Sequence, residues 1–289
     1  MTASAVPAPR LLLSARSLNG VTVATRDRRL EILARYREPE SLAVTLAKAV
    51  DAGVDGVLSS LTPALRAALS ELRTAVPIYA IVPALGEYER QELAPGLEHA
   101  IRLARSRAGA GARLRAAFAT VGRSAALFDG NFARRLPILA ELELATAPRG
   151  TLRGVVLDAW FTDLALAAGN RAMFERFSRF VRRRYRVAAG YETRNLGLLL
   201  ARLREWGVQP DFVLGPVNAS GLMMKPSPAE LLIELARAEV PVIARELCAG
   251  GVDTLEQGAR FARERGAYGV APDLTEKDDV AAELRTLLS

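Results

Sequence analysis

A chain of 289 residues that is 50% hydrophobic and 25% charged can bury a large core, which excludes wholesale disorder. One cysteine, Cys248, excludes an intrachain disulfide framework and a thiolate zinc cluster, and one histidine, His99, excludes a multi-histidine metal site. The net charge is +7, carried by three lysines (Lys48, Lys225 and Lys277) and by arginine in the remaining 36 of the 39 basic positions.

That charge invites a nucleic-acid reading, but its densest run, "RFVRRRYR" at 179–186, ends a predicted helix, where the helix dipole favours cations. No zinc-finger, RRM or KH pattern accompanies it, so no nucleic-acid partner is expected. No apolar run approaches the length of a membrane span, and the N-terminus lacks the layout of a signal peptide. The expectation is a cytoplasmic protein with no membrane partner.

Short β-rich runs alternate with amphipathic helical stretches from one end of the chain to the other. The runs occupy 10–18, 53–60, 76–85, 153–161, 186–193, 211–218, 240–247 and 266–274. Single helices of suitable length separate the later runs, and Gly53, Gly207 and Gly266 stand where a helix would end before a strand. Eight such units in 289 residues predict one (β/α)8 TIM barrel over 1–289. A doubly wound sheet shares the alternation, but no strand is followed by the G-x-G-x-x-G fingerprint of a dinucleotide fold. Neither a nicotinamide nor a flavin motif is found. Long connections after strands one and three, the latter at 86–152, predict extra helical segments on the barrel.

Barrel active sites are built at the C-terminal ends of strands. Those positions hold Arg16 and Asn19; Ser59, Ser60 and Thr62; Asp158 and Asp163; Glu192, Thr193, Arg194 and Asn195; Asn218 and Ser220; Arg245, Glu246 and Cys248; and Asp273. Some of these are expected as caps or turn residues, but charged groups where parallel strands leave the core read as a binding site. His99 falls in a helical region, which argues against a Ser-His-Asp or Cys-His arrangement. Cys248, with no nearby histidine, reads as packing.

The remaining chemistry is that of carboxylates. Asp158 and Glu192 could share a Mg2+, and Asp158 with Glu246 also resembles the carboxylate placement of barrel glycosidases. Arg16, Arg194 and Arg245 suit a carboxylate or phosphate, as do the Gly250 and Gly251 amides in "CAGGVDTLEQ", although an inward Asp273 would repel a phosphate.

In strand count, in the Gly-Gly turn after strand seven and in a lysine after strand six, the chain resembles the broad aldolase-type group of TIM barrels. The resemblance implies lyase chemistry with a Schiff-base lysine. Lys225 departs from that pattern: it lies seven residues past Asn218, on the loop rather than the strand. Its neighbours "SPAE" read as an N-cap box, with Ser227 as cap.

The expectation is a barrel enzyme of lyase (aldolase-like) or isomerase type acting on a small anionic metabolite. Asp158, Glu192 and Glu246 would be its acid/base groups, optionally with Mg2+. Arg16, Arg194, Arg245, Gly250, Gly251 and Asp273 would line the anion site, and Asn218 and Lys225 would contact the reacting end. A homo-oligomer is compatible with this. The alternative is a non-catalytic ligand-binding or assembly barrel, marked by arginine bridges closing off Asp158 and Glu192. Glycoside hydrolysis stands third, because aromatic residues are only 6% of the chain.

Overall fold

The structure is a computed structural model and describes residues 7–19, 25–72, 74–84, 132–148, 150–275 and 279–287. His99 and the helical segments expected between 86 and 131 lie outside the described residues.

Eight strands form one parallel sheet in sequence order: β1 (Leu12–Ser14), β2 (Gly56–Ser59), β3 (Ile78–Val82), β4 (Leu152–Leu157), β5 (Ala188–Glu192), β6 (Phe212–Pro216), β7 (Val242–Arg245) and β8 (Gly269–Val270). Single bridges from Leu11 to Val270 and from Ser14 to Asp273 join the last strand to the first. The result is a nearly closed (β/α)8 barrel, as the alternation predicts.

Side chains alternate between two packed layers, as the two-residue period of a strand requires. Leu12, Leu58, Ile81, Val156, Phe212, Leu214 and Ile243 point inward and fill the barrel with Tyr79. Leu11, Leu13, Val57, Ala80, Val155, Val213 and Ala244 face outward against the helices. Tyr79 and Phe212 meet edge to face across the interior with centroids 5.9 Å apart. Small residues make room for these rings: a Cβ on Gly154 would lie 2.5 Å from the Tyr79 ring.

Helices α1 (Arg26–Arg35), α2 (Pro39–Asp51), α3 (Pro63–Glu71), α4 (Phe132–Leu144), α5 (Ala159–Ala167), α6 (Arg171–Arg184), α7 (Leu196–Trp206), α8 (Pro228–Ala236), α9 (Leu255–Glu264) and α10 (Val280–Thr286) complete the described part. Their boundaries follow local chemistry. Thr62 and Ser227 cap α3 and α8 ahead of prolines at the first helical position, and Thr254 with Gln257 forms a full capping box on α9. Gly207 ends α7 in left-handed backbone. One added helix, α1, stands after β1 where the long connection predicts it; α4 is the one described helix between β3 and β4, and two helices, α5 and α6, lie between β4 and β5. Among the described residues no helix is long and apolar enough to cross a membrane.

Candidate functional site

The C-terminal end of the barrel gathers charge from five strands. Arg16 follows β1, Asp158 follows β4, Glu192 ends β5, Arg245 ends β7 with Glu246 next, and Asp273 lies just beyond β8. At the centre, Oε1 of Glu192 accepts from Nη1 of Arg16 and from Nη1 of Arg245. The side chains of these three are 1–7% exposed. Each arginine extends its other terminal nitrogen outward. Nη2 of Arg16 lies 4.0 Å from Asp158, and Nη2 of Arg245 lies 3.6 Å from Glu246 and 3.3 Å from Asp273. Ser14 Oγ donates to Asp273 at 2.5 Å, tying the first strand to the last.

Two polar atoms in this cluster, Oε2 of Glu192 and Nε of Arg245, are buried with no partner among the described residues. The charges do not balance either, since Arg16 and Arg245 face four carboxyls: Asp158, Glu192, Glu246 and Asp273. Burial pushes the Asp158 and Glu246 carboxyls above their usual range against the pull of Arg16 and Arg245 respectively. Burial, then the neighbouring Arg245, lowers Arg16 to about 9. Asp158 also caps α5, accepting from the Trp160 amide at 2.9 Å.

Beside the mouth, a cleft of about 470 Å3 opens between the loops after β7 and β8 and helices α1, α9 and α10. Its floor is the turn after β7, where Glu246, Ala249, Gly250 and Gly251 all take left-handed backbone, with φ of 55°, 45°, 73° and 103°. The Gly251 amide donates to the Cys248 carbonyl at 2.7 Å, so the turn itself uses this donor expected for an anion. Arg28 packs on the same turn: a Cβ at Gly251 would lie 2.8 Å from its Nη1. The described lining carries carboxylates from Glu246, Asp253, Glu256, Asp273 and Glu283 against the single guanidinium of Arg28.

The other expected site residues fall into different roles. Asn218 is fully buried and engages both ends of its amide with Leu222, donating at 3.0 Å and accepting at 2.8 Å. Arg194 is exposed at the rim, its backbone amide on Asp163 at 3.2 Å. Thr193 Oγ1 donates to the same Asp163 and thereby fixes the end of β5. Lys225 is exposed on the loop before α8, and its carbonyl accepts from the Gly197 amide at 3.1 Å. Glu192 is closed off by arginines, whereas Asp158 keeps partial exposure. A Mg2+ between Asp158 and Glu192 does not suit this geometry: it would share the Glu192 carboxylate with two guanidiniums. Among the described residues, no group of three or more His, Cys, Asp and Glu is arranged to hold a metal.

Sequence reasoning missed Arg28 and the acidic wall of Asp253, Glu256 and Glu283. All four stand on or before helices α1, α9 and α10, where their charges read as ordinary solvated faces.

No protein-family model and no curated protein matches the chain. Solved structures do. The PA4992 protein of Pseudomonas aeruginosa, described as an aldo-keto reductase, aligns over 97% of this chain and 91% of its own at 14% identity, with a TM-score of 0.53. Gox0644 in its apo form aligns over 96% and 82% at 12% identity, with a TM-score of 0.50. An aldo/keto reductase from Brucella melitensis aligns over 96% and 87% at 12% identity, with a TM-score of 0.45.

The PA4992 and Gox0644 likenesses share the barrel that the strand order shows. The PA4992 structure is named as a reductase, which runs against the aldolase-like lyase or isomerase expectation with its Schiff-base lysine, while at 14% identity the likeness itself carries the fold alone. The physical reason is that strand count, a Gly-Gly turn and a lysine near strand six describe the barrel scaffold, which hosts many chemistries. The expectation of Mg2+ or no cofactor, based on a missing nicotinamide motif, is corrected on the same ground. The G-x-G-x-x-G fingerprint belongs to the doubly wound sheet and carries no information about a barrel.

Proposed function

We propose that the chain is an oxidoreductase of the aldo-keto reductase kind, reducing a small carbonyl compound at the mouth of the barrel. The observation that carries this reading is Glu246. It follows β7 in left-handed backbone, lines the cleft, and has a carboxyl that burial holds above the ordinary carboxylate range. Carbonyl reduction requires a proton at oxygen as well as a hydride at carbon. A buried carboxyl that holds its proton more tightly than an ordinary carboxylate is suited to supply it. Asp158 is the second such group, across the mouth beside Arg16. Arg194 at the rim favours a substrate whose carbonyl stands near a carboxylate, in keeping with a small anionic metabolite.

In the cleft the five carboxyls leave Arg28 as the one described counter-charge for the diphosphate of a nicotinamide dinucleotide. Glu256 and Asp273 would accept from ribose hydroxyls, and the Arg28 guanidinium on Gly251 would meet a phosphate. A reduced nicotinamide, if bound there, would supply the hydride. The protein's own part is to hold the carbonyl between Arg194 and the Glu246 carboxyl and to deliver the proton.

The test is to mix purified chain with NADH or NADPH and a panel of 2-oxo acids, aldehydes and ketones, following loss of the reduced-nicotinamide absorbance. Turnover that fails in Glu246→Gln supports the reading. A chain that binds neither nucleotide and reduces no carbonyl is not a reductase, and binding without turnover marks a ligand-binding barrel.

A further inference from the structure

The Glu192 carboxylate is used unevenly. A forked Arg–carboxylate pair engages both oxygens. Here Oε1 alone takes two guanidiniums while Oε2 stays buried and bare. Two like charges are thereby drawn together, a costly arrangement. The same two arginines are the nearest cations to the mouth's other acids. Arg16 faces Asp158 at 4.0 Å, and Arg245 faces Glu246 at 3.6 Å and Asp273 at 3.3 Å.

We propose that Glu192 is a positioning residue: by taking Nη1 of both Arg16 and Arg245 onto one oxygen it offsets part of their charge, weakens the pull that each exerts through Nη2 on Asp158 and Glu246, and leaves those two carboxyls to carry the protons of the mouth. The inference rests on the proton-donor role given to these groups above. The charged groups facing Glu246 are Arg245, Asp273, Arg16 and Arg194, and those facing Asp158 are Arg16, Arg194 and Asp163. Without Glu192, Arg16 and Arg245 lose their common acceptor. Asp158, Glu246 and Asp273 are then the acids left within their reach, and ionised forms of the first two are favoured.

The experiment is a carbon-13 NMR titration of side-chain carboxyls in the full chain, with Asp158→Asn and Glu246→Gln spectra to assign the signals. In Glu192→Gln the Asp158 and Glu246 midpoints fall by about half a pH unit or more, whereas Glu192→Asp, which keeps the charge, stays near wild type. Midpoints that are unmoved or raised in Glu192→Gln overturn the proposal, as does an equal fall in Glu192→Asp. Should Glu192→Gln fail to fold, Glu192→Ser is titrated in its place, with the same two outcomes deciding. The titration needs neither substrate nor nucleotide. Missing reductase activity would therefore count against the proposed function only, and unmoved midpoints against this inference only.

Discussion

Arg245 reaches across to the side chain of its own successor, Glu246, at 3.6 Å, because Glu246 leaves the strand in left-handed backbone with φ of 55°. Side chains of adjacent residues in a regular strand point to opposite faces. The turn at Glu246 breaks that rule and puts a guanidinium and a carboxyl on the same side, at the boundary between barrel mouth and cleft.

This relationship sets a pH dependence. The Glu246 carboxyl sits above its ordinary 4.5 in the folded chain because burial disfavours the charged form. Its protonated form therefore contributes stability fully below about pH 4.5, and that contribution is lost as pH rises through the higher folded midpoint. Glu246→Gln has no charge to bury, so wild type should lose stability relative to it over that interval. Urea unfolding midpoints measured from acid to neutral pH check this, and a wild type that gains on the variant as pH rises would contradict it.

Packing inside the barrel yields a sharper test. A Cβ on Gly190 of β5 would lie 2.4 Å from the Phe212 ring, held in turn by Tyr79. Gly190→Ala should cost about 1–3 kcal/mol by overpacking. Phe212→Leu in the same background should recover part of that loss, giving a favourable interaction term in a double-mutant cycle by denaturant unfolding. Additive losses would mean that the two positions do not share the space.

How legible all this was depended on whether the cause was local. The strands follow from short runs of Val, Leu and Ile, and the helix ends from Thr62, Ser227 and Gly207, each acting within a few residues. Arg16, Asp158, Glu192 and Arg245 were legible as a set for the same reason, since a strand end can be located without knowing its neighbours. Their pairing was not. Glu192 meets Arg16 across 176 residues and Arg245 across 53, and only the closing of the barrel brings them together. Asn218 looked available for a substrate because nothing in the sequence shows Leu222 folding back onto it.

Lys225 and Gly197 separate a side chain from its backbone. The lysine side chain is exposed, so Lys225→Met should change stability by no more than about 0.5 kcal/mol. Gly197, in the first turn of α7, faces the Lys225 carbonyl oxygen, which a Cβ would approach to 2.9 Å, with Pro226 Cδ at 3.0 Å. Alanine improves helix propensity over glycine by about 1 kcal/mol. The clash is with backbone that cannot swing aside, and overpacking of this kind costs about 1–3 kcal/mol. The clash wins, and Gly197→Ala is expected to lower the unfolding midpoint while Lys225→Met leaves it in place. Thermal or urea unfolding of both variants decides the point.

The acidic wall of the cleft bears on which nucleotide it accepts. Glu246, Asp253, Glu256, Asp273 and Glu283 line it against Arg28 alone among the described residues. Carboxylates accept from a ribose 2′-hydroxyl and repel a 2′-phosphate. Unit charges at close range interact by about 1 kcal/mol even in bulk water, and about 1.4 kcal/mol is a factor of ten in affinity. One or two such repulsions therefore suffice for NADH to bind about tenfold more tightly than NADPH or better. The gap should narrow as salt is added, since screening weakens it. Glu256→Gln and Glu283→Gln should narrow it further without the nucleotide turning over. Titrations of both nucleotides by fluorescence or calorimetry give the ratio directly. Tighter binding of NADPH would show that the 2′-phosphate lies away from this wall, and would place the dinucleotide elsewhere on the mouth.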